Sequence, residues 1–238
     1  MSRGITLLPI ANAPNIGRCN LKDPNLNECV GKNIEDAVRK FKDGAPQIGI
    51  PPFEPLKISK MVIGEGTGPV NVQQNFENIE LFGLTDSKVL KEIVDVEQDK
   101  HYCESFSPKL ELIGDYDMNG RVLVLPIRGK GRFNIILYNS SLTHNLTMEK
   151  YTKKDKTYLK MVNYLVTITP EKMHYQFDNL FDGDERLGSQ INKVLNENWD
   201  SVYNDVRQGY ENSFGLIFKG LADSLFSRVP YNEIFIVE

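Results

Sequence analysis

The stretch ERLGSQINKVLNENWDSVYNDVRQGYENSFGLIFKGLADSLFSRVP, residues 185–230, decides how the rest of the chain is read. Leu187, Ile191, Val194, Leu195, Trp199, Val202, Val206, Tyr210, Phe214, Phe218, Leu221 and Leu225 recur at helical spacing and fall on one broad face. Unbroken, the helix would run some forty residues, roughly 60 Å at ~1.5 Å per residue. Helices of that length are usually coiled coils, membrane spans or repeats. The face is too aromatic and irregular for heptads, and Asn196, Glu197, Asn198, Asp200 and Asn204 exclude lipid. One remaining solution is a long helix wrapped by a strongly curved antiparallel sheet. Gly209, Gly215 and Gly220 are the points where it is expected to bend or break.

Residues 56 to 177 supply that sheet. PLKISKMVI, FENIELFGL, SPKLELIGDYDM, RVLVLPIRGKGRFNIILY, YLKMVNYLVTI and KMHYQFDNLF alternate or run apolar, with β-branched and aromatic residues frequent. Asn119-Gly120 is a two-residue hairpin signal, and Gly129-Lys130-Gly131 predicts a second tight reversal. KYTKKDK, residues 150–156, reads as a solvated turn. Val122 to Ile127 is apolar on both faces, which implies cover on each side. The fold class is therefore α+β, a single domain over residues 1–238.

Ahead of the sheet, Asn33 and Asp36 form the signature of a capped helix, with Ile34, Ala37, Val38 and Phe41 as its apolar stripe. Gly44 and Pro46 stop it. The preceding loop carries Cys19 and Cys29, too far apart for a zinc pair or a Cys-x-x-Cys redox motif. A disulfide and two free thiols stay open on spacing alone. Cys103 reads as a buried thiol. Residues 1–18 form an N-terminal arm whose MSRGITLLPIANA has the grammar of a signal peptide but a short apolar run. A truncated leader, a mature arm and an appended end all fit it.

With 238 residues, 40% hydrophobic, 25% charged and a net charge of −4, the chain has ample core and no basic footprint for nucleic acid. No apolar run reaches the ~20 residues that span a bilayer. Asn139-Ser140-Ser141 and Asn145-Leu146-Thr147 are glycosylation sequons. His144, beside a sequon, is expected to be solvated, and His174 to be a structural strand residue. Asp182-Gly183-Asp184-Glu185 lacks the distal ligands of a calcium loop and suits a helix start. No catalytic set assembles, and neither a metal nor a cofactor is expected. Phe76, Phe82, Phe106, Tyr116, Phe133, Phe177, Phe181, Trp199, Phe214, Phe218 and Phe226 form either plain core or the wall of a pocket.

A set of ordered motifs carries a resemblance: CNLKDPNLNEC (19–29), PLKI (55–58), GPVNV (68–72), FGL (82–84), GDYDMNGRVLVLPIRGKGRFNI (114–135), NLFDGDERL (179–187), LNENW (195–199) and VPYNEIF (229–235). The chain resembles the insect Takeout and juvenile-hormone-binding family from Cys19 to Phe235. It looks closer to the Takeout branch, since it lacks the second cysteine pair of hormone-binding members. Cys103 is extra, and Gln208-Gly209 stands where many relatives carry a proline.

The resemblance implies a tubular lipid-binding fold with a hydrophobic tunnel, and a Cys19–Cys29 bridge near the end where ligand enters. It implies a secreted, monomeric, non-catalytic carrier of juvenile-hormone-like, fatty-acid-like or isoprenoid lipids, in haemolymph or a similar fluid, with a cell-surface receptor as a candidate partner. Such a tunnel binds by removing apolar surface from water, at roughly 25 cal/mol per Å². Alternation gives Leu110, Leu112, Tyr116, Leu123, Leu125, Phe133, Ile135 and Leu137 as inward-facing ligand contacts, opposite Trp199, Val202, Phe214 and Phe218. Tyr116 and Tyr175 are the hydroxyls expected to orient a polar head. The competing class is a secreted interaction module whose core is filled by its own aromatics. A membrane-surface lipid-transfer protein is a third class, without the basic or exposed apolar rim it would want.

Overall fold

The computed structural model describes residues 16–64, 70–122 and 124–237. The readings of residues 1–13 and of Leu123 lie outside them. In chain order the elements are β1 (Cys19–Asn20), α1 (Leu26–Lys40), β2 (Leu56–Ile63), β3 (Val70–Phe82), β4 (Lys88–Asp95), β5 (Lys100–Val122), β6 (Leu125–Lys153), β7 (Lys156–Thr169), β8 (Lys172–Phe177), α2 (Glu185–Glu197), α3 (Trp199–Phe226), α4 (Tyr231–Ile234) and β9 (Phe235–Ile236).

Two very long strands organise the sheet. β5 and β6 pair antiparallel from Lys100↔Thr147 to Val122↔Leu125. The first half of β5 holds β4 and the second half holds β3, which carries β2. Likewise β6 holds β8 near its start and β7 near its end. At ~3.3 Å per residue, β6 alone is on the order of 95 Å long, so the sheet must coil. Register shifts at Glu77/Glu80, Val89/Lys91 and Thr147/Met148 add local bends. α3 packs against β2, β3, β7 and β8, so the curl closes around it.

Helix side chains cover the open strand edges, which would otherwise carry unpaired amides. Asn192 and Asn196, one turn apart on α2, each bond both backbone groups of a β8 residue, Phe177 and Tyr175, at 2.8–3.0 Å. From α3, Asp205 accepts from Val70 N, Glu211 from Ile168 N and Asp223 from Met161 N at 2.6–2.9 Å. At the free edge of β4, Glu35 and Asn27 of α1 accept from Val89 N and Val94 N, each at 3.0 Å.

Several local expectations are corrected. The forty-residue helix breaks at Asn198, not at a glycine: its backbone leaves the helical region (φ −121°, ψ 26°) and its side-chain amide donates to Val194 O at 2.8 Å. Gly215 serves contact instead, since a Cβ there would lie 2.8 Å from Tyr164 O. Asn119-Gly120 is not the hairpin turn. Both pair inside the ladder, with Arg128 and Ile127, and the chain reverses between Val122 and Leu125. Gly120 is there because a Cβ would strike Asn71 O of β3 at 2.1 Å. Gly129-Lys130-Gly131 makes no reversal either: residues 178–180 cross that part of β6, with Leu180 bridged to Gly129. The expected cover around Val122 to Ile127 is also absent at the tip, where Val124 is 89% exposed. α1 starts at Leu26 rather than after Asn33, because Leu26 and Val30 continue the buried stripe backwards. The turn expected over residues 150–156 shrinks to 154–155, because Lys150 to Lys153 pair in the ladder with Leu159 to Lys156, whereas the helix start at Asp184, whose carboxylate accepts from Leu187 N at 3.0 Å, is as expected.

Cys19 and Cys29 are bridged across ten residues of sequence, and β1 pairs with β9, tying the start of the described chain to its end. A loop this short constrains the unfolded chain by about 2–3 kcal/mol. Replacing both cysteines by serine is therefore expected to lower unfolding stability by that amount, read from urea titrations with and without the bridge.

Candidate functional site

Along α3 the packing changes character. Val202, Tyr203, Val206, Tyr210 and Phe214 are buried, whereas Phe218, Leu221, Ala222, Leu225 and Phe226 are only partly covered. The first half meets a filled aromatic core: Phe76 to Phe133 at 4.6 Å between ring centroids, Tyr116 to Phe177 at 5.0 Å, Phe76 to Tyr210 at 6.4 Å. Beside the second half lies a cavity of about 600 Å³. α1 closes it with Val30, Ile34 and Val38, β6 with Leu142, Leu146 and Met148, and Cys19, Phe41 and Phe235 line it as well. A volume of this size lies in the range of small-molecule sites, about 300–1,000 Å³.

The polar part of the wall is one register row and its neighbours. His101, Cys103, Ser105 and Ser107 alternate along β5 and all reach the cavity. Cys103 pairs with Glu92 of β4 on one side and with His144 of β6 on the other. His144 Nε2 lies 3.0 Å from Ser105 Oγ, and its Nδ1 lies 3.0 Å from Tyr164 Oη. His101 Nδ1 lies 3.0 Å from Glu92 Oε1, and Ser87 Oγ lies 2.7 Å from Ser107 Oγ. Burial, helped by the nearby Glu92 charge, pushes the Cys103 thiol far up, so it stays protonated and inert.

His144 is thus not solvated; the surface it keeps faces the cavity, and burial pushes its pKa down to about 4. An unfolded chain would take up the proton near 6.5, so folding loses stability as pH falls from above 6.5 towards 4. The expected contribution is about 2 kcal/mol less stability at pH 5 than at pH 8. His144→Gln should remove that part of the slope in urea titrations at the two pH values.

Of the expected ligand contacts, Phe218 lines this cavity. Leu110, Leu112, Tyr116, Phe133, Ile135, Leu137, Tyr175, Val202 and Phe214 point inward but sit in the filled core and off the cavity wall. Trp199 is half-buried against the same core. Leu125 is 37% exposed at the hairpin tip, because the reversal falls later than Asn119-Gly120. The head-orienting hydroxyls are likewise displaced: Tyr116 donates to Asp178 O at 2.6 Å and Tyr175 reaches Met173 Sδ at 3.5 Å, while Tyr164 faces the cavity. The missed signal was the polar alternation His101-x-Cys103-x-Ser105-x-Ser107 on an inward face.

The model of the family described as haemolymph juvenile hormone binding protein matches residues 5–236. The chain belongs to that family. Family members bind lipids and hormones, and the Takeout-like relatives lie within the same group. The chain is 26% identical over 226 residues to the circadian clock-controlled protein daywake of Drosophila melanogaster, covering 92% of this chain and 86% of daywake. It is 19% identical over 218 residues to a putative beta-carotene-binding protein of Schistocerca gregaria, covering 91% and 86%. The crystal structure of Epiphyas postvittana Takeout 1 superposes with a TM-score of 0.80 at 23% identity, covering 92% of this chain and 99% of that one, which fixes the shared fold. Among the described residues no helix is long and apolar enough to cross a membrane, and no cluster of His, Cys, Asp and Glu could hold a metal.

Proposed function

We propose that the protein is a secreted, monomeric carrier that holds one long hydrophobic molecule between α1, the second half of α3 and the inner face of β4–β6, without catalysis. The carrying observation is the cavity of about 600 Å³ whose wall is mostly apolar side chain. Each methylene sheltered there is worth ~0.8 kcal/mol, so a chain of fifteen or more carbons can bind tightly through the tail alone. The tail then sets affinity, and the few polar groups of the wall set which head is accepted.

Secretion is supported by the Cys19–Cys29 bridge, which persists in oxidising compartments. Asn139 and Asn145 are both exposed on β6, open to glycosylation. Native mass spectrometry of protein secreted from insect cells and purified without detergent tests the reading. A monomer mass raised by one releasable lipid, recovered by organic extraction, is expected. A bare mass, with no apolar probe taken up on titration, would favour a packed interaction module instead.

A further inference from the structure

Glu92 stands out on the cavity wall. Its side chain is only 2% exposed, yet it is a carboxylic acid on a largely apolar surface. One oxygen, Oε1, is 3.0 Å from His101 Nδ1, which donates to it. The other, Oε2, is buried and has no hydrogen-bond partner. Its cross-strand neighbour Cys103 offers at most a weak thiol donor. A buried carboxylate oxygen without a donor is costly, and such an atom calls for a missing partner. No helix terminus or lysine is bonded to it among the described residues, and the protonated Cys103 thiol beside it is a weak donor, so the cavity is the side from which a strong donor can reach it.

The second polar feature is a hydrogen count. Ser105, His144 and Tyr164 form a chain of two links, and neutral His144 contributes one N–H alongside two hydroxyl hydrogens. Three hydrogens serve two links, so one hydroxyl hydrogen is left over whichever tautomer forms. Glu92 and His144 flank Cys103 in one register row, with Ser105 two residues further along β5 and Tyr164 on β7 beyond His144. The cavity wall therefore presents one strong acceptor and one spare donor, on either side of Cys103.

Resting on the carrier reading above, we infer that Glu92 Oε2 is the head-group receptor of the cavity and that it selects a hydroxyl-bearing long-chain lipid. The ligand hydroxyl donates to Oε2, and its oxygen accepts the spare hydrogen of the Ser105–His144–Tyr164 chain. An ether or ester head has no hydrogen to give. A carboxylate head brings acceptor oxygens and a like charge against the Glu92 carboxylate, which repels it. Free fatty acids are thus disfavoured relative to the matching alcohol.

The test displaces the fluorophore N-phenyl-1-naphthylamine from wild-type protein with three sixteen-carbon ligands: the alcohol, its methyl ether and the carboxylic acid. The alcohol is expected to bind about tenfold or more tightly than the ether, with the acid weakest at neutral pH. Glu92→Gln puts an amide donor where the free acceptor stood, so the ether and acid should draw level with the alcohol. Equal binding of all three by the wild type overturns the head-group inference and leaves the carrier reading standing. So does an alcohol preference that survives in Glu92→Gln. If neither the fluorophore nor any of the three ligands binds the wild type, the carrier reading falls and this inference with it.

Discussion

Replacing Ala222 by Trp is expected to lower affinity for a sixteen-carbon ligand by roughly 100- to 1,000-fold. Ala222 lies on the second half of α3 and lines the cavity between Leu221 and Leu225. An indole there occupies space that four or five ligand methylenes would use, at ~0.8 kcal/mol each, hence a loss of about 3–4 kcal/mol. Filling a void does not disturb side chains already in contact, so thermal unfolding should stay within a few degrees of wild type. Leu125→Trp is the matched control from the exposed hairpin tip, and it should leave affinity unchanged in the same titration.

Phe133→Ala should do the reverse. Phe133 is 2% exposed and packs against Phe76 and Phe177 in the filled half. Removing a buried aromatic ring costs about 3–5 kcal/mol through lost transfer energy and the cavity left behind. Denaturant unfolding should show that loss in full. Ligand affinity of the protein that remains folded should change by less than about threefold, because Phe133 is not part of the cavity wall. Together the two substitutions separate a half that carries stability from a half that carries ligand.

That division is the physical core of the molecule. A sheet that coils around a helix encloses more length than its own aromatics fill. Phe76, Tyr116, Phe133, Phe177 and Tyr210 pack one end densely. At the other end β5 turns Cys103, Ser105 and Ser107 inward, side chains too short to reach α3, and space is left. α1 then lies over β4 and closes that end, its Glu35 and Asn27 holding the strand edge.

The sequence pattern carried the curled sheet, the helix inside it and the inward parity of strand residues such as Leu110, Leu112, Phe133 and Ile135. Parity could not say which inward residues meet one another and which meet empty space, because both kinds repeat every second residue. That depended on side-chain size summed across four elements distant in sequence. The local turn signal at Asn119-Gly120 failed because pairing with Arg128 and Ile127 extended the ladder past it, and so Leu125 was misplaced. Asn198 hid the helix break because a lone asparagine in a helical pattern is a weaker signal than Gly209 or Gly215. His144 was misjudged from its neighbour Asn145, although adjacent strand residues face opposite sides.

The most direct test is photo-crosslinking with a sixteen-carbon alcohol carrying a diazirine at mid-chain, followed by peptide mapping of the labelled protein. Saturable labelling in residues 142–148 and 218–229, competed away by unlabelled alcohol, is the predicted result. Labelling that falls instead on residues 110–116 and 133–137, or that no competitor removes, would contradict a hollow at the α1 end of the fold.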